Sequence, residues 1–124
     1  MPLAASSLAR DLNPGQVRAD ISILIGASGA VTSYKGQGLK VTPVLATTGT
    51  YTLTTEKGYA ALIGAKGSVR NATGTNVLFP VVTGAYASGV LTVETRLAAG
   101  TVTNPASGSY IDLELIFDEQ GIVK

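Results

Sequence analysis

The chain has 124 residues, no histidine, no cysteine and no tryptophan, and 14% of its residues are charged, for a formal net charge of +1. Without cysteine there is neither a disulfide framework nor a thiolate metal site. Without histidine the usual proton shuttle near neutral pH, which is also the commonest metal ligand, is missing.

The nine basic and eight acidic residues are interspersed, as in Arg10 beside Asp11, Arg18 near Asp20, Glu56 beside Lys57 and Glu94 near Arg96. No basic stripe suits a nucleic acid, and no basic amphipathic helix suits a membrane surface. Met1 to Arg10 has neither a basic n-region nor a continuous apolar h-region, so synthesis in a cytoplasm is expected. No run approaches the roughly 20 apolar residues of a membrane-spanning helix. A hydrophobic fraction of 45% and a mean hydropathy of +0.32 are high for a small soluble monomer; a tightly packed small-residue core is one explanation, and apolar surface that a partner covers, favoured as a contribution, is the other.

In chain order, residues 1–16 read as an arm. Ala4 to Leu12 has the length of a helical turn or two, and Asn13-Pro14-Gly15 breaks regular structure. Leu3, Leu8 and Arg10 are its candidate partner contacts. Residues 17–124 read as one domain. Val17, Ala19, Ile21, Ile23 and Ile25 alternate with more polar neighbours, as in a strand with one buried face. Gly26 to Gly29 ends it. Ala30 to Tyr34 is a short second strand, and Lys35 to Gly38 a turn. Leu39 to Ala46 is extended, with Pro43 assigning it to an edge or bulge.

After a break at Thr47-Thr48-Gly49, Thr50 to Thr54 is a strand of good pleated-sheet residues. Glu56 to Ile63 is expected as a short helix or loop, Ser68 to Ala72 as a strand, and Thr73 to Asn76 as a turn. Val77 to Thr83 is a strand that Pro80 places at an edge or bulge, and Ala85 to Gly89 turns the chain. Val90 to Leu97 and Ser109 to Phe117 are clear alternating strands, separated by the loop Ala98 to Gly108. The pattern is all-β: a single-domain antiparallel β-sandwich or barrel of about seven to eight short strands with an N-terminal arm.

The chemistry-bearing motifs are sparse. Gly36-Gln37-Gly38-Leu39-Lys40 lacks the following helix of a phosphate loop and reads as a hairpin turn. Gly64 to Ser68 lacks the phosphate-loop spacing and reads as a turn into a strand. Asp112, Glu114 and Asp118 share one strand face, with Glu94 expected near them and Arg96 and Lys66 as pairing partners. Carboxylates so placed could serve a glycosidase or bind Ca²⁺, but alternating carboxylates on a sheet are ordinarily its solvated face. No Ser-His-Asp triad is possible without histidine. The reading is therefore not an enzyme, with no cofactor and no metal. Of the five tyrosines, Tyr51 and Tyr59 are expected in the core or at the sheet rim, and Tyr86 and Tyr110, beside loops, are the candidate contact residues.

From Thr50 to Phe117 the order of elements is a threonine-rich strand, Lys57-Gly58-Tyr59, an Ala/Gly segment and two strands. The loop Thr103-Asn104-Pro105-Ala106-Ser107-Gly108 and the closing strand follow. This stretch resembles small structural proteins of tailed bacteriophages, of the capsid decoration or cement type. The resemblance implies a non-enzymatic virion component, a trimer or dimer made in the host cytoplasm and bound to the major capsid protein on the outside of the shell. Two other expectations stand beside it. One is a glycan- or surface-binding module of fibre or adhesin type; the other is a different head–tail component.

Overall fold

Two segments alternate between apolar residues and mostly polar ones, with Leu24 and Ile116 the exceptions, and they form the spine of the fold. In the computed structural model, which describes residues 15–38, 40–74 and 77–118, eight strands follow one another. They are β1 Gln16–Ile25, β2 Val31–Gly38, β3 Val41–Thr47, β4 Thr50–Thr55, β5 Ala61–Arg70, β6 Leu78–Ala87, β7 Val90–Leu97 and β8 Tyr110–Asp118. They pair antiparallel into two four-stranded sheets, in the orders β2-β1-β8-β5 and β3-β4-β7-β6. The two sheets pack face to face as a sandwich rather than closing as a barrel. Leu3, Leu8 and Arg10 lie outside the described residues, as does the tail 119–124.

The core follows from period two. Ala19, Ile21, Ile23 and Ile25 of β1 and Ile111, Leu113, Leu115 and Phe117 of β8 point inward. They meet Val41, Tyr51, Leu53, Leu91 and Val93 from the other sheet. Each such large side chain contributes about 1.5–3 kcal/mol on burial. The buried polar groups are satisfied: the Thr95 hydroxyl donates to Thr103 O at 2.6 Å, and Ser109 Oγ accepts the Ala72 N–H at 3.0 Å. Tyr51, fully buried, donates to Gly29 O at 2.7 Å and so ties the second sheet to the β1–β2 connection.

The two prolines within strands, Pro43 and Pro80, lie on edge strands, as their chemistry requires. Thr95 N–H donates to Gly49 O and Thr55 N–H to Gly89 O. The odd residues of β4 and β7 therefore bond each other, and the even ones bond β3 and β6. By alternation Pro43 and Pro80 face out of the ladder, where no donor is needed.

Four expectations are corrected. Lys35 to Gly38 is not a turn but the second half of β2, paired from Lys35 with Ser22 to Gly38 with Ala19. Gly64 to Ser68 is likewise inside a strand, β5, along β8. That strand begins at Ala61, so Glu56 to Ile63 is no helix and only its first residues form a loop. β6 continues to Ala87, and the turn shrinks to Ser88-Gly89, both with positive φ, which suits a two-residue hairpin loop. In these edge strands glycines stand in register with core residues of their neighbours, as Gly36 does with Ile21 and Gly67 with Leu113, and leave few apolar side chains to mark the period. At Gly67 a Cβ would stand 2.2 Å from Asp112 O, so this glycine allows close strand approach rather than a turn.

Candidate functional site

Among the described residues, the outward face of the first sheet collects most of the charged side chains. Register places Gln37, Asp20, Glu114 and Lys66 in one row across the four strands, and Lys35, Ser22, Asp112 and Ser68 in the next. Arg18 pairs with both Glu114 and Asp20, and Lys66 Nζ stands 3.0 Å from Glu114. Arg70 donates to both oxygens of Asp112 at 2.7 and 3.1 Å, and Ser22 adds a third bond at 2.5 Å. The Arg70 guanidinium also lies over the Tyr110 ring, 4.1 Å from its centroid. This face borders a shallow groove of about 1030 Å³.

These carboxylates are tuned toward ionisation. Partial burial pushes the Asp112 carboxyl up, but the hydrogen bonds from Arg70 and Ser22 outweigh it and hold it below its ordinary value. The Lys66 hydrogen bond, with Arg18 close by, holds Glu114 down as well. A carboxyl serving as general acid needs the opposite shift. Glu94 is not near them, contrary to expectation: it lies on the outward face of the other sheet, with Thr50 and Val81 as neighbours in register. Arg96, expected to pair with the β8 carboxylates, instead holds Glu94 of its own strand. Among the described residues no group of three acidic side chains converges as a cation cage.

The tyrosines divide by role. Tyr51 and Tyr59 are buried, as expected. Tyr86 is half-buried: its ring packs 5.1 Å from that of Phe117, and its hydroxyl meets Thr55 Oγ1 at 2.8 Å and accepts the Tyr59 N–H at 3.0 Å. It is a strut between the sheets. Tyr110 is half-buried beneath Arg70.

The second feature is apolar. Among the described residues six large hydrophobic side chains are exposed: Tyr34, Val44, Ile63, Val77, Phe79 and Val81. Every one belongs to an edge strand, β2, β3, β5 or β6, or immediately precedes one. The sequence reading missed them, although one signal was there: no charged residue occurs between Arg70 and Glu94, a stretch that contains all of β6. No protein-family model, curated protein or solved structure matches this chain.

Proposed function

We propose that the chain is a non-enzymatic structural protein of a virion, of the capsid decoration or cement type. It would act as a dimer or trimer on the major capsid protein at the outer surface of the shell, after synthesis in the host cytoplasm. The observation that carries this reading is the distribution of exposed apolar side chains along the lateral margins of the sandwich. A small monomer ordinarily guards such margins with charge. β6 has none, and Phe79 and Val81 stand 51% and 39% exposed on it. The absence of histidine and cysteine, and carboxylates held in the ionised form, accord with a contact-making rather than a catalytic role. A glycan-binding module is the second reading, favoured by the polar groove on the first sheet. Against stacking of a sugar there, Arg70 covers the Tyr110 ring.

Native mass spectrometry of the purified chain tests the first reading. A dimer or trimer is expected, and Phe79→Asp with Val81→Asp should weaken it by about tenfold or more, as loss of a central apolar anchor does. A monomer that also fails to sediment with shells would overturn it.

A further inference from the structure

The four edge strands are not equivalent. In the second sheet a proline interrupts both edges against strand addition. Pro43 and Pro80 each put a missing donor on the outward side of the ladder, and the Leu78 N–H, also outward, is occupied by Asn71 Oδ1 at 3.1 Å. Neither edge of the first sheet contains proline. Ile25 N–H donates to Ser109 O, so the odd residues of β1 and β8 bond each other. The even residues of β1 then bond Ser33, Lys35 and Gln37 of β2. By alternation the backbone groups of Tyr34 and Gly36 point away from the sheet, and among the described residues nothing accepts or donates to them. On the other edge, β5 is kinked by the register shift between Leu62 and Gly64, and Val69 O accepts from the Asn71 side chain.

Two further observations converge on β2. Beside it, between β2 and β3, lies a cleft of about 440 Å³ bordered by Val31, Tyr34, Pro43, Val44 and Leu45. Tyr34 there is 40% exposed. Beyond Tyr34, on the outward face of the sheet, Lys35 is exposed and has no ion-pair partner among the described residues, whereas Lys66, Arg70 and Arg96 all have one.

From these features we infer that β2 is a docking edge for an extended peptide segment of a partner protein in which apolar and acidic residues alternate. Backbone groups of that segment pair with Tyr34 and Gly36. Its apolar side chains enter the cleft beside Tyr34, toward Pro43 and Leu45, and a carboxylate on the opposite face meets Lys35. Main-chain pairing supplies affinity, and the two faces of a strand, read by cleft and lysine, supply selection. The inference rests on the assembly reading only in taking the segment to belong to a shell subunit.

The test uses the full chain and two synthetic peptides of about ten residues, one alternating valine with aspartate and one alternating valine with lysine, long enough to cover a strand. The aspartate peptide should bind more tightly, by about tenfold, and slow hydrogen exchange at the Tyr34 and Gly36 amides. Lys35→Glu, an exposed and conformationally neutral change, should reverse the preference, and Tyr34→Ser should weaken both peptides. Protection appearing on Ile63 and Ala65 of β5 instead, or a preference unmoved by Lys35→Glu, would overturn the proposal. So would β2 protection that appears on self-association without peptide, since the occupant would then be a second copy. Because the peptides replace the shell, this result is independent of shell sedimentation, and each reading fails separately.

Discussion

Tyr51 shows how one buried hydroxyl sets a pH limit. Its ring is fully buried in the core, and its hydroxyl donates to Gly29 O. Burial pushes its pKa up from 10.0 to about 12. A group whose folded pKa lies above its unfolded value contributes stability that is fully present below the unfolded pKa and disappears as pH rises through the folded one. The melting temperature should therefore fall between about pH 10 and pH 12 in the wild type. In Tyr51→Phe that fall should be smaller, from a starting stability about 1 kcal/mol lower at neutral pH, the ordinary worth of one intramolecular hydrogen bond. Equal slopes in the two proteins, followed by circular dichroism, would remove Tyr51 as the cause.

At the scale of the element, the strands divide by how much of each is buried. β1, β7 and β8 were legible because one face of each is core: Leu91 and Val93, or Ile111 to Phe117, recur at period two with no proline and no glycine between them. Parts of β2 and β5 look like turns in the sequence because their glycines resemble punctuation and their exposed residues have no period. Gly67 belongs to the ladder, where Asp112 O and Leu113 Cδ2 leave no room for a Cβ. Gly67→Ala should cost about 1–3 kcal/mol through the backbone shift it forces. Gly64→Ala, whose nearest neighbour is Ile116 Cβ at an ordinary 3.9 Å, should be neutral or slightly stabilising. Urea unfolding of the two variants decides it, and a Gly67 cost no larger than that at Gly64 would show that β5 yields freely. The misplacement of Glu94 has a different origin. Period two reveals which residues share a face of a strand, but not which sheet the strand joins, so Glu94 and Asp112 looked like neighbours and stand on opposite outer faces.

For the whole molecule, the two kinds of exposed edge respond oppositely to ionic strength. The β6 margin has Phe79 and Val81 in a stretch without a single charge. Association through it draws on apolar burial, which excluded salts such as sulfate strengthen. Recognition at β2 includes Lys35, an exposed charge whose attraction to a carboxylate is screened once the Debye length shrinks to about 10 Å at 0.1 M salt and further above it. Raising sodium sulfate should thus favour the oligomer, while weakening the aspartate peptide relative to an alternating valine–asparagine peptide of the same length. Sedimentation velocity follows the first effect and titration calorimetry the second, on the same protein. If salt dissolves the oligomer, its contact includes charge, and Glu94 and Arg96, in register with Val81 and Phe79, become the residues to mutate next, followed by Arg18, Lys66 and Glu114 on the outward face of the first sheet.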